Sequence, residues 1–171
     1  SVFRILQNNI KNKKNIEFIN FGVSNSSGKI KFNVNIESSS SSINNLNEKS
    51  NYYKKKFYLL NFFNTSNVTK VIDIEVLTLD NFMKKKGIIQ IDLLKIDTEG
   101  YEMQVLKGLQ DKIKKIKLIH FEHHFDDMIM KDYKLSNIHN YLIKNGFKKK
   151  FKIKMKFRKS FEYLYLNKDF T

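Results

Sequence analysis

Apolar positions recur along the chain with two different periods, and the switches between them outline the elements. Val2, Phe3, Leu6 and Ile10 follow helical spacing and predict a short amphipathic helix over Val2 to Ile10. Asn15 to Val23 and Lys29 to Ile36 alternate apolar with polar residues and predict two strands, joined by turn residues from Ser24 to Gly28. Thr69 to Leu77 predicts another strand, with Thr78 capping a helix through Leu79, Phe82 and Met83. Ile91 to Ile96 is a nearly unbroken apolar run, the pattern of a central strand buried on both faces. A helix is expected from about Glu99 to Leu109, a strand over Ile116 to Glu122, and a helix over Leu135 to Lys144 that stops at Gly146. Phe151, Ile153, Met155 and Phe157 then alternate with basic residues, and Phe161 to Leu166 follows as a second strand, so these two predict an antiparallel pair. Alternating strands and helices closed by such a pair indicate an α/β three-layer fold with a mostly parallel sheet.

Two segments do not fit this periodicity. Ser38 to Ser42 and the Asn-rich stretch after it are of low complexity and predict a mobile insertion over about residues 37–66. Tyr52 to Phe63 is aromatic-rich and reads equally as helix or loop.

Composition narrows the picture. Apolar residues at 41% and charged residues at 29% describe a globular chain. Its length suits one domain, and no apolar run is long enough to span a bilayer. Cysteine is absent, which removes disulfides and thiolate metal sites and is compatible with a cytoplasmic setting. The start, Ser1-Val2-Phe3-Arg4, has neither Met nor a signal-peptide layout, and we expect the chain to begin inside a longer protein. The net charge of +15 invites a nucleic-acid partner. Almost all of it is lysine, with Arg4 and Arg158 the only arginines, whereas phosphate and base recognition recruit Arg forks. The charge therefore reads first as a solvated surface, and a nucleic-acid partner as the lesser expectation.

The chemistry-bearing residues gather at two strand ends. Leu93 to Glu102 (LLKIDTEGYE) runs from a buried strand to Asp97, then Glu99, then Gly100, which permits a tight turn into the next helix. Ligands of open α/β sheets sit beyond the carboxyl ends of strands, which makes Asp97 and Glu99 site candidates. They could equally cap the helix and favour its dipole. The following strand ends Phe121-Glu122-His123-His124, with Asp126 and Asp127 after it. If the two strands are parallel neighbours, Asp97, Glu99 and Glu122 or His123 meet on one rim. Such a group could bind a cationic cofactor or take a proton from a hydroxyl. The spacing matches no metal signature, and adjacent histidines on a strand point to opposite faces, so we expect no metal. His120 reads as a core or surface residue, and His139 receives no role.

These residues resemble a known family. Thr78-Leu79-Asp80-Asn81-Phe82, the run Ile91 to Glu102 (IDLLKIDTEGYE), Val105-Leu106-Lys107-Gly108 and the strand ending in Glu122 closely resemble the FkbM methyltransferase domain. Leu6 with Asn9, Gly22-Val23-Ser24 followed by Gly28, and Ser40 to Ile43 extend the likeness over most of the chain. The resemblance implies a class I Rossmann-like methyltransferase, with S-adenosylmethionine as donor and a hydroxyl on a sugar or glycan-like small molecule as acceptor. It also implies that Asp97 and Glu99 lie by the cofactor and acceptor, and Val23 and Ser24 near the adenine. The base that an alcohol nucleophile needs could be Asp97, Glu122 or His123. One departure stands out. The family has a glycine-rich loop after its first strand and an acidic residue after its second, and none of the six glycines here forms a G-x-G pair. The alignment sets both elements upstream of Ser1, so the chain should lack the first two strands, which in the family lie between the third and fourth. The 171 residues alone should then bind cofactor poorly and be inactive. The alternatives are a non-catalytic remnant of the fold serving as an interaction module, and a nucleic-acid binder using the lysines from Lys148 to Lys159.

Overall fold

The computed structural model describes residues 2–10, 14–34, 41–47, 49–55, 70–156 and 159–170. Helix α1 (Val2–Asn9) leads into a two-residue strand β1 (Gly22–Val23) and then β2 (Gly28–Val34). Strand β3 (Lys70–Leu77) is followed by helix α2 (Leu79–Lys86), β4 (Ile91–Ile96), helix α3 (Glu102–Lys107) and a 3-10 turn over Gln110–Lys115. Strand β5 (Ile116–His124), helix α4 (Leu135–Lys144), β6 (Phe147–Lys154) and β7 (Ser160–Asn167) complete the order.

The result is an α/β fold with two sheets. One has the order β1-β3-β2 and the other β4-β5-β7-β6. In the second, β4 and β5 are parallel, β7 is antiparallel to β5, and β6 is antiparallel to β7, so β4, β5 and β6 run the same way. The C-terminal antiparallel pair is as expected. The mostly parallel pairing expected is not what is seen: β1 pairs in parallel with β3 but β2 pairs antiparallel with β3, and no strand pairing joins the two sheets among the described residues.

Local chemistry explains most element bounds. Thr78 caps α2 as predicted, its Oγ1 accepting from the Asn81 N–H at 3.1 Å. The strand expected over Asn15 to Val23 shortens to Gly22–Val23. Phe21 turns away to pack edge-on against Phe82, and a cleft of about 580 Å³ separates residues 17–21 from the end of β3. The helix expected from Glu99 starts only at Glu102, because Glu99 (φ 50) and Gly100 (φ 91) are both left-handed. Strand β2 stops at Val34, residues 35–36 of its expected span lying outside the described residues, as do 37–40, 48 and 56–66 of the expected mobile insertion. Of the ambiguous stretch Tyr52 to Phe63, positions 52–55 are helical and the rest lies outside the described residues.

The core forms on one face of the four-stranded sheet. Ile96, Ile119, Phe121, Tyr163 and Tyr165 pack in a single cluster with Leu106, Ile138 and Leu142 from the helices and Leu109 and Ile113 from the 3-10 region. The opposite face is open. Leu93, Phe151 and Ile153 are about half exposed. Strand β4 is thus not buried on both faces. It is the edge of its sheet among the described residues.

Candidate functional site at the tips of two parallel strands

Strands β4 and β5 run side by side in register, Lys95 opposite His120 and Ile96 opposite Phe121. Their carboxyl ends therefore stop together and deliver Asp97, Glu99, Glu122 and His124 to one rim. Side chains of β5 alternate between faces. Ile119, Phe121 and His123 point to the core, and His120, Glu122 and His124 point to the open face.

His124 is the hub of the rim. Its Nε2 lies 3.4 Å from Glu99 Oε2 and 3.5 Å from Glu122 Oε1, and its Nδ1 lies 3.6 Å from Asp126 Oδ2. Glu122 is 6% exposed, and neither its Oε1 nor His124 Nε2 has a hydrogen-bond partner among the described residues. Burial opposes charge on His124, but the bond to Asp126 and the carboxylates of Glu99 and Glu122 outweigh it and raise the imidazole above its ordinary pKa. Burial raises Glu99 above the ordinary carboxylate range, with Asp97, Glu122 and Glu102 adding to the shift against the pull of His124. Asp97 is more exposed than the others and lies 3.7 Å from Lys95.

The turn that carries Glu99 is held from three directions. Glu102, 1% exposed, accepts from the Gly100 N–H at 3.0 Å and from Thr98 Oγ1 at 3.2 Å, and also from the Tyr133 hydroxyl. Ser42 Oγ donates to the Glu99 carbonyl at 3.1 Å, and Asn44 Nδ2 donates to the Gly100 carbonyl at 2.6 Å. Gly100 is required twice over, by its φ and because a Cβ would press against Lys131, Asn44 and Ile129. The left-handed Glu99 is a strained conformation for a residue with a side chain, and this clamp keeps it in place. The segment that supplies Ser42 and Asn44 continues to the loop after β5, where Asn47 N–H donates to the Met128 carbonyl at 2.8 Å and Ser50 Oγ to Asp127 Oδ1 at 2.5 Å.

The candidates from the sequence divide clearly. Asp97, Glu99 and Glu122 share the rim. Glu99 turns its carboxylate to His124, and α3 follows Tyr101, which offers no side-chain cap, so the capping reading does not describe Glu99. His123 lies on the core face, edge-on to Phe125 and tilted against Tyr133, and burial, with the charges of Lys131 and His124, lowers its pKa to about 4. His124 stands where His123 was expected to contribute. Val23 ends β1 in the other sheet and Ser24 follows it. Ser24 is buried, and its hydroxyl shares a 2.9 Å hydrogen bond with Tyr101 OH, which ties it to the turn before α3. His120 faces Glu162 at 3.4 Å, and His139 Nδ1 lies 2.9 Å from Tyr165 OH. Sequence reasoning passed over His124, Glu102 and Tyr133. The rule that neighbours on a strand face opposite ways could have separated His124 from His123, but Tyr133 is brought in only by the fold.

Residues 2–149 match the family described as the Methyltransferase FkbM domain. The chain belongs to that family. No curated protein and no solved structure matches it. In this FkbM domain the run Lys95 to Gly100 forms the strand tip and turn of the rim, and Gly108 at the end of α3 lets Ser24's carbonyl approach where a Cβ would overlap it. Membership implies methyl transfer in general and a cofactor of the S-adenosylmethionine type. Among the described residues no helix is long and apolar enough to cross a membrane, and no group of three His, Asp or Glu residues could hold a metal ion.

Proposed function

We propose that the rim is the reaction centre of an S-adenosylmethionine-dependent O-methyltransferase acting on a hydroxyl of a sugar or glycan-like small molecule. The observation that carries this reading is the meeting of Glu99 and Glu122 at His124, with Asp97 on the same rim, at the ends of two parallel strands. The donor chemistry fits the cofactor. A wall of carboxylates, one of them buried with an oxygen that takes no hydrogen bond among the described residues, suits a ligand that carries positive charge. When bound, S-adenosylmethionine supplies an electrophilic methyl group. The chain's own residues orient, exclude water and move a proton.

In this reading Asp97 and Glu99 face the cofactor and acceptor, and the exposed Asp97 takes the proton of the acceptor hydroxyl. Glu122 adds negative charge behind them. His124 is a positioning residue that holds Glu99 and Glu122 at fixed separation and is itself anchored by Asp126. Val23 and Ser24 border the adenine side through Tyr101. Because the chain holds no G-x-G loop, we expect these residues alone to bind the cofactor weakly. The test is transfer of a labelled methyl group to a panel of saccharides by the intact gene product. Asp97→Asn should lower turnover at least about 100-fold, and full activity in that variant would confine Asp97 to its ion pair with Lys95. Titration of the 171-residue chain with S-adenosylmethionine should show no micromolar binding.

A further inference from the structure

We propose that the outer edge of the four-stranded sheet is a docking surface for a membrane that displays anionic lipid headgroups. Strand β6 is the edge of its sheet among the described residues. Eight of the twelve residues from Lys148 to Lys159 are Lys or Arg, and no Asp or Glu occurs anywhere from Tyr133 through Phe161. None of Lys148, Lys150, Lys154 and Lys156 has an ion-pair partner among the described residues. The charge is thus dense and locally unneutralised.

Charge is only half of the pattern. Phe151 pairs with Leu164 and Ile153 with Glu162, which places both on the open face of the sheet, 45% and 50% exposed. Lys152 points the other way and lays its ammonium over the Phe161 ring, 4.0 Å from the centroid. Lys154, paired with Phe161, lies on that other side as well, so the edge presents an aromatic and an aliphatic side chain on one face and lysines on the other. Lysines alone would guard an edge strand against pairing with other chains, but that guard has no use for exposed Phe and Ile. A phosphate backbone would take the lysines and give Ile153 nothing to contact. An anionic bilayer uses both: apolar side chains enter the headgroup boundary, and lysine stems lie along it with their ammonium groups outward.

The test is co-sedimentation of the full chain with vesicles of phosphatidylcholine alone and with 30 mol% phosphatidylglycerol added (about the charge density of anionic membranes). Binding to the charged vesicles should exceed binding to neutral ones by about tenfold or more and fall at least as much in high salt. Phe151→Ser and Ile153→Ser should each weaken it several-fold with unchanged thermal midpoints, and Lys150→Glu with Lys154→Glu should abolish it. Equal binding to both vesicle types, no binding at low salt, or indifference to Phe151→Ser and Ile153→Ser overturns the proposal. Tight, salt-sensitive binding to duplex DNA without vesicle binding overturns it in favour of a nucleic-acid partner.

Discussion

The two faces of β5 carry neighbouring residues into opposite electrostatic worlds. On the core face, Phe121 stacks on Tyr163 and Tyr165, and His123 is kept neutral by burial. On the other, Glu122 and His124 sit among carboxylates that favour the imidazolium. His123 and His124 are the same residue one position apart, with pKa shifts of opposite sign. The difference comes from what each face meets. Helices and aromatic rings offer no counter-charge, so the uncharged form wins. Strand tips and the clamped turn offer Glu99, Glu122 and Asp126, so the charged form wins. A strand's period of two thus separates a structural layer from a chemical one within a single dipeptide.

The comparison breaks most severely on the core side. Phe121→Ala removes a fully buried ring and should cost about 4 kcal/mol in urea unfolding, as large-to-small changes in packed cores do. Glu122→Gln, one residue on, should cost far less stability, and a similar loss in both variants would mean that the faces do not differ in this way.

Acid sharpens it next. The folded pKa of His123 lies below its unfolded value, so between about pH 6.5 and about pH 4 the unfolded chain binds a proton that the native one refuses. Stability falls as pH falls through that window, by about 3 kcal/mol from this residue. His124 has the opposite sign: its raised pKa adds stability that is fully present below the unfolded value and is lost as pH rises through the folded one. Denaturation of His123→Phe and wild type at pH 7 and pH 4.5 should show the gap between them shifting in favour of the variant in acid.

A smaller effect is expected at the clamp. Tyr133→Phe removes one donor to buried Glu102 and should cost about 1–2 kcal/mol. The smallest is at the exposed tip, where Asp97→Asn should change stability by less than about 0.5 kcal/mol, since its contact to Lys95 is long and solvent-screened. Loss of turnover without loss of stability at Asp97 would distinguish a chemical group from a structural one.

Much of the fold was legible because its signals are local. Thr78 caps its helix by its own hydroxyl, β5 and α4 follow their apolar periods, and β6 and β7 announce themselves as a hairpin by alternation. Failures came where a partner decides the outcome. Asn15 to Phe21 has strand composition but pairs with no strand among the described residues, and Ile91 to Ile96 reads as central although Leu93 is 53% exposed on what is an edge among them. The alternation in β6 was read correctly, yet its apolar side faces the open side of the sheet. At the site, Asp97, Glu99 and Glu122 were visible from strand-end logic. His124 was masked by its neighbour, and the Glu102–Tyr133 contact spans 31 positions that no local pattern connects.

The account rests on the chemical face of β5 being the one that carries His124. The direct measurement is methyl transfer by the intact gene product bearing His124→Gln or His123→Gln, each normalised to its folded fraction. His124→Gln should lower turnover about tenfold or more, and His123→Gln should stay within about twofold of wild type, its effect appearing only in acid stability. The reverse ranking, or equal losses in both variants, would contradict the division of β5 into a packed face and a reacting one.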